Sequence, residues 1–221
     1  MGRSSKEEAA RTRLRILAAA SDLFRKSGAE RVSVADIMAA AGLTTGGFYK
    51  HFASKEALVA EATALAFAQS DEGWARLAAA QPEEGAGTAA LRAALVRHYL
   101  RPTPEQRCPM IAFAAPGAEH SAPSEPASKD SGLAYRDGVA ALLARFADPG
   151  TAANPARPEA PPPGESLSDE ALVLFAAMIG ARVLGEASAS APWIAPLRTA
   201  VIRAAEAEAV TEARVDAKAQ E

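Results

Sequence analysis

The stretch VSVADIMAAAGLTTGGFYKHFASKEAL, Val32 to Leu58, leaves room for little besides three short helical segments joined by tight turns. Ser33 precedes a run in which Val34, Ile37, Met38 and Ala41 recur at the i, i+3, i+4, i+7 spacing of one buried helix face. Asp36 occupies the acid position of a capping box, and Val32 and Ile37 stand where a hydrophobic staple fixes the entry to a helix. Gly42 ends that helix, since a residue without Cβ most readily takes the left-handed corner. Thr44 is placed to cap the next segment, Leu43 and Phe48 repeat the staple across its start, and Ser54 opens a third helix. Two helices joined by so short a glycine turn cross steeply, which is a helix-turn-helix, here over about residues 33–52.

The rest of the chain is helical in pattern, so the fold class is all-α. A first helix is expected over residues 8–26, with Ile16, Ala20, Leu23 and Phe24 on one face and Gly28 as terminator. A long helix is expected from residue 54 to about 80, stopped by Pro82, and further helices over 88–100, 132–146, 168–185 and 192–213, the charged tail fraying beyond. Between the second and third of these, Pro102, Pro104, Pro109, Pro116, Pro123 and Pro126 permit only short helical pieces around 108–115. The run DPGTAANPARPEAPPPGE reads as a Pro-rich loop too poor in apolar surface to fold alone. The helix over 168–185 is apolar around most of its circumference and needs cover on more than one side, from the core of one subunit or from a second copy. The expected domains are a helix-turn-helix domain over 1–60 and a helical domain over 61–221.

Charge is distributed unevenly. Residues 1–60 carry ten Lys and Arg against six Asp and Glu, whereas residues 61–221 carry fourteen against twenty-one. The positive excess coincides with the motif, and neutralising phosphates needs local rather than overall positive charge. On charge alone, the reading of Arg11, Arg13 and Arg15 as only a solvated helix face stands ahead. The single cysteine, Cys108, excludes an internal disulfide framework, and no Cys cluster offers a zinc site. No apolar run is long enough to span a bilayer and no signal-peptide core follows the N-terminus, so a cytoplasmic protein without membrane contact is expected.

From Arg11 to about Leu65, RTRLRILAAASDLFRKSGAERVSVADIMAAAGLTTGGFYKHFASKEALVAEA resembles the DNA-binding domain of the TetR family of bacterial transcriptional regulators. The features that carry the resemblance are LF in the first helix, Gly28, the Ser33 cap, AGL, GGFYKHF and SKEAL in that order. It implies a homodimer built through a four-helix bundle of C-terminal helices, and an all-α second domain with a pocket for a small-molecule effector. The implied dimer contact comprises Leu172, Phe175, Ala176, Ile179 and Val183 on one helix, with Ile194, Leu197 and Val201 on the next. Candidates for the pocket are Trp74, Leu95, His98, Tyr99 and Met110, with Phe113, Tyr135, Leu142 and Phe175, although each is also an ordinary core residue by type. RCPMIAFAAPGAEHS resembles the start of the middle effector-domain helices in one branch of the family, from which Pro116 and Pro123 depart.

Thr44, Thr45, Gly46 and Gly47 form the first turn of the segment whose N-terminal residues face base edges in the major groove. A threonine methyl can touch thymine and its hydroxyl a base or phosphate, while two glycines let the backbone approach closely or simply fit against the first helix. Lys50 is the best candidate for a guanine contact, with a phosphate contact close behind, and Tyr49 and His51 look like the family's phosphate-binding pair. Lys55 adds its charge to a helix start aimed at a phosphate, and Ser33 is a candidate for the same task. Phe48 and Phe52 are expected in the core, because a duplex exposes no base faces.

A good bidentate base contact is worth about 1–3 kcal/mol, and this segment lacks the Arg, Asn or Gln that make the strongest ones. One copy therefore discriminates poorly, and two copies on a palindromic operator of double-stranded DNA with half-sites about one turn apart are needed. An effector that favours a tilted long helix must lower DNA affinity by reciprocal linkage, making repression relieved by ligand the default. No cofactor or metal is implied, and the chain has no GxSxG, HExxH or Gly-rich phosphate loop to support an enzyme. Two alternatives remain at this level: a helical adaptor that keeps the fold without binding DNA, and a redox-sensing repressor whose Cys108 is activated by Arg107.

Overall fold

The structure, a computed structural model, describes residues 2–81, 87–101, 107–114, 126–150 and 167–219. Every regular element among them is helical: α1 Gly2–Ser27, α2 Val34–Ala40, α3 Lys55–Ala79, α4 Thr88–Tyr99, α5 Pro109–Ala112, α6 Pro126–Ala147, α7 Asp169–Ala187 and α8 Ile194–Ala219. Two 3-10 helices, Ala29–Arg31 and Thr45–Lys50, lie on either side of α2. His120, Pro82, Pro102, Pro104, Pro116, Pro123 and the Pro-rich segment 151–166 lie outside the described residues.

The chain divides into two compact units. The first comprises Met1–Gln69 with Pro104–Val139, and the second Ser70–Thr103 with Ala140–Glu221. The division therefore falls elsewhere than at residue 60, for a physical reason. Phe113 meets Phe24 edge-on at 6.3 Å, Arg25 Nε donates to the Arg107 carbonyl at 3.0 Å, and Tyr135 donates to the Met110 carbonyl at 2.8 Å while its ring meets Phe67. These contacts fasten α5 and the first part of α6 to the N-terminal helices.

In the first unit, Ile16, Ala20 and Phe24 of α1, Ile37 and Met38 of α2, Phe48, Phe52 and Leu58 make one buried cluster. Gly28 takes φ 82°, which closes α1 where a β-carbon would be strained. The second unit rests on α4 and α7 packed against α8. Leu91, Leu95, Val96, Leu142, Phe146, Leu174, Phe175, Met178, Ile194 and Val201 supply its buried apolar side chains. Ser168 caps α7 by accepting from the Ala171 N–H at 3.2 Å.

The last helix persists to Ala219, beyond the fraying point expected at residue 213. Ties to α4 restrain the helix as far as residue 212. Glu206 pairs with Arg97 at 3.0 Å, Glu208 with Arg92 at 2.5 Å, and Glu212 accepts from the Ala89 N–H at 2.8 Å, capping the otherwise open start of α4. α1 and α6 likewise begin earlier than their periodicity indicated.

Candidate nucleic-acid interface

The helix-turn-helix is built from local bonds that the sequence spells out. Ser33 Oγ accepts from the Asp36 N–H at 3.1 Å, and Asp36 Oδ2 accepts from the Ser33 N–H at 2.9 Å and from its hydroxyl at 2.6 Å, a complete capping box. These bonds, the hydroxyl's first, hold the Asp36 carboxyl below the usual carboxylate range. At the other end of α2 the Leu43 N–H bonds to the Met38 carbonyl and the Gly42 N–H to the Ala39 carbonyl, with Gly42 at φ 68°. That is a Schellman closure, and it sets the sharp corner leading to Thr44.

The reading segment differs from expectation in kind. Residues Thr45–Lys50 form a 3-10 helix, and Thr44, although extended at its N-terminal side, makes no side-chain cap hydrogen bond. Two adjacent glycines have little intrinsic preference for the α-helix, and six residues are too few to recover the nucleation cost. The Phe48 ring, fully buried, fixes the segment in place, stacked on Phe52 at 5.8 Å. Thr44, Thr45, Gly46, Tyr49 and Lys50 are exposed around it, and Gly47, His51 and Lys55 are half-buried at its margin. Phe48 and Phe52 sit in the core. A β-carbon at Gly46 would meet nothing within 4 Å, and one at Gly47 only Met38 Cε at 3.7 Å, so steric fit against α2 demands neither glycine.

Ser33 is placed differently from the phosphate role assigned to it. Its one hydroxyl proton goes to Asp36, whose negative charge stands at the same helix start. The site is thus a cap. Ser54 Oγ accepts from the Ala57 N–H at 3.1 Å at the start of α3, where Lys55 follows.

Two arginines of α1 do something no motif indicated. Residues two apart on a helix point to different sides, so Arg13 and Arg15 cannot share one solvated face. Arg13 Nη2 contacts both carboxylate oxygens of Glu61 on α3 at 2.6 and 2.7 Å, its Nε donates to the His51 carbonyl at 3.3 Å, and its guanidinium lies 4.5 Å from the Phe52 ring centroid. Arg15 Nη2 donates to the Ala41 carbonyl at 2.5 Å, at the end of α2. Arg11 stays exposed, 3.9 Å from Glu7. Contacts made across 38 to 48 residues of sequence left no periodic trace by which to find them.

The residues considered for an effector pocket divide between the units. Met110, Phe113 and Tyr135 belong to the first, and Trp74, Leu95, His98, Tyr99, Leu142 and Phe175 to the second. In the second unit, Trp74 meets Tyr99 at 6.1 Å and Phe146 at 6.3 Å, and Phe146 meets Phe175 at 5.5 Å, a continuous chain of rings. Leu95 and Leu142 are fully buried. His98 is exposed, because the inward side of α4 is taken by Leu91, Arg92, Leu95 and Val96, so it lines no interior.

Three residues assigned to a dimer contact face inward instead. Phe175, Ile194 and Val201 are 7%, 4% and 7% exposed within one subunit. An all-round apolar helix gives no periodic sign of which side faces its own core, so the pattern around Phe175 leaves its side open. Leu172, Ala176 and Val183 are exposed and Ile179 and Leu197 half-buried, and the exposed set also includes Val173, Leu184 and Trp193.

Cys108 is buried at the start of α5. The Arg25 guanidinium lies near its sulfur, with the Tyr135 phenol also close. Burial, first, and the sulfur, second, push the Tyr135 phenol above its usual range. Among the described residues no group of His, Cys, Asp and Glu is placed to hold a metal ion, and no helix is long and apolar enough to cross a membrane.

Residues 16–62 match the family model of bacterial regulatory proteins of the tetR family. Over 59 residues the chain is 48% identical to the HTH-type transcriptional regulator TtgR of Pseudomonas putida, a stretch covering 27% of this chain and 28% of that protein. Over 61 residues it is 43% identical to the HTH-type transcriptional regulator AcrR of Shigella flexneri, covering 28% of each. The likeness thus spans little more than a quarter of these curated relatives. The whole fold is similar to the crystal structure of a TetR transcriptional regulator from Chloroflexus aurantiacus, with TM-score 0.60 and 27% identity over 89% of this chain and 95% of that one.

Proposed function

We propose that this chain belongs to the tetR family of bacterial regulatory proteins and is a sequence-specific DNA-binding transcriptional regulator, a cytoplasmic homodimer that represses from a palindromic operator and is released by a small-molecule effector. The observation that carries the reading is the exposed surface Thr44, Thr45, Gly46, Tyr49 and Lys50 presented on a buried Phe48. Such a surface is polar, carries a cation, and is held rigid from beneath, as base reading requires. Thr44 and Thr45 face base edges, Lys50 reaches a guanine or phosphate, and Tyr49, His51 and Lys55 hold the phosphate backbone.

Exposed Leu172, Val173, Val183, Leu184 and Trp193 support pairing of two copies through α7 and the turn that follows it. Gly180 has open space beside it, room for a neighbouring helix. The ring chain of the second unit is the place for an effector with an apolar body. No catalytic role is assigned to any residue.

Selection of bound duplexes from a randomised pool tests the reading. One palindromic winner, bound with an affinity that falls steeply as salt rises, is the expected result. Recovery of no preferred duplex at low ionic strength would leave the adaptor.

A further inference from the structure

Arg13 joins three elements through one guanidinium, and its bonds end where the reading segment ends. Its Nε donates to the carbonyl of His51, the residue that closes that segment, at 3.3 Å. Its Nη2 is held by both oxygens of Glu61 on α3. Its flat face covers Phe52 at 4.5 Å, and Phe52 stacks on Phe48, whose ring in turn meets Tyr49 edge-on at 5.2 Å. The side chain is 39% exposed, so the pairing is screened enough that it adds little to stability, yet it fixes three directions at once.

The geometry points to Arg13 as a positioning residue for DNA recognition. It sets the angle and height of the segment bearing Tyr49, Lys50 and His51, and makes no phosphate contact of its own. This rests on the regulator reading. A guanidinium is needed because only a planar, forked cation can stack on a ring while it chelates a carboxylate and reaches a carbonyl. Lysine would keep the charge and lose the geometry. A 3-10 segment with two glycines has little stiffness of its own, which makes an external strut consequential.

The test uses the full-length protein and two duplexes of equal length: the one it selects from a random pool, and an unrelated one. Arg13→Lys, Glu61→Gln and the double variant are compared at a temperature where circular dichroism shows all of them folded. The expected result is a ratio of selected to unrelated affinity about tenfold lower in Arg13→Lys, the scale of one lost base contact, with the dependence of log affinity on log salt unchanged. Glu61→Gln should lower the ratio in the same direction, and the double variant no further than Arg13→Lys alone, since both act through one strut. A salt slope shallower by about one in Arg13→Lys would overturn the assignment and make Arg13 a phosphate ligand. An unchanged ratio would overturn it as well. A wild-type protein that selects no duplex overturns the regulator reading, and this inference with it, before any variant is compared.

Discussion

Gly46 has a conformation that any residue can adopt and a β-carbon position that meets no neighbour, so folding has no use for glycine there. A glycine in a helical turn destabilises by roughly 0.5–1 kcal/mol relative to alanine, which makes it a liability unless something outside the chain needs the space. Gly46→Ala should therefore raise stability by about 0.5 kcal/mol in urea melts and yet weaken binding to the selected duplex. Opposite signs in the two measurements mark a residue kept for an approaching partner, and retention of full affinity would return Gly46 to a neutral surface position. Ser33 is the converse case, a residue kept for folding. Ser33→Ala removes the capping box and should cost about 1 kcal/mol of stability, with little effect on which duplex is selected. The pH dependence has a definite sign. The folded Asp36 carboxyl titrates below its ordinary value, so its stabilisation is present at neutral pH and is lost as pH falls below about 4 through the folded value. Urea midpoints of the wild type should fall faster than those of Ser33→Ala on acidification through that window.

At the scale of elements, what could be read in the sequence was whatever is decided within four or five residues. The Ser33–Asp36 box, the Gly42 corner, the start at Ser54 and the termination at Gly28 all carry their partners nearby, and local spacing was enough to locate each. The 3-10 character of Thr45–Lys50 went unread even though its causes, two adjacent glycines and a six-residue length, are local, because the caps and staples on either side fit an α-helix equally well. The contacts of Arg13 and Arg15 were not legible, because their partners lie 26 to 48 residues away. The ties of α8 to α4 were not legible for the same reason, since they join residues 109 to 123 apart in sequence. Arg92 and Glu208 lie at the centre of that contact, Arg92 also donating to the Ala147 carbonyl at 3.3 Å. Burial, outweighing the attraction of Arg92 and reinforced by Glu170 and Glu212, pushes the Glu208 carboxyl above its usual range. Across the interval from the ordinary glutamate value up to the raised one, the folded chain holds a proton that the unfolded chain has released. Stability contributed at this group is present at lower pH and is lost as pH rises through the raised value. Glu208→Gln cannot titrate, so its melting temperature should gain on that of the wild type as pH is raised above about 4. A difference between the two that shrinks with rising pH would show that pairing to Arg92 outweighs desolvation.

For the whole molecule, the proposed reading with its weak base contacts requires that recognition be summed over two subunits. The reading segment has no Arg, Asn or Gln, and each contact it can make is worth at most a few kcal/mol, so a single copy cannot separate an operator from the bulk of competing duplex. Pairing then needs a surface, and the burial of Phe175 within its own subunit leaves the opposite side of α7 to provide it. Val173 is 66% exposed, and Val183, Leu184 and Trp193 are each more than 40% exposed, an apolar set that water covers in one subunit by itself. Leu184→Glu places a charge in that surface without touching the subunit's own core. Sedimentation should show the wild type as a dimer and Leu184→Glu as a monomer with unchanged helix content. The variant should keep weak, salt-sensitive binding to any duplex, because Lys50, Lys55 and the rest of the reading surface are intact. It should lose preference for the selected palindrome by orders of magnitude, since only one half-site is engaged. Winning duplexes should moreover carry half-sites about 34–36 Å apart, one helical turn, and moving the halves apart by five base pairs should abolish preference by turning one of them to the far side of the helix. A Leu184→Glu protein that remains dimeric and selective would place the pairing surface elsewhere. The same variant with a monomeric mass and undiminished selectivity would instead overturn the premise that two weak readers must act together.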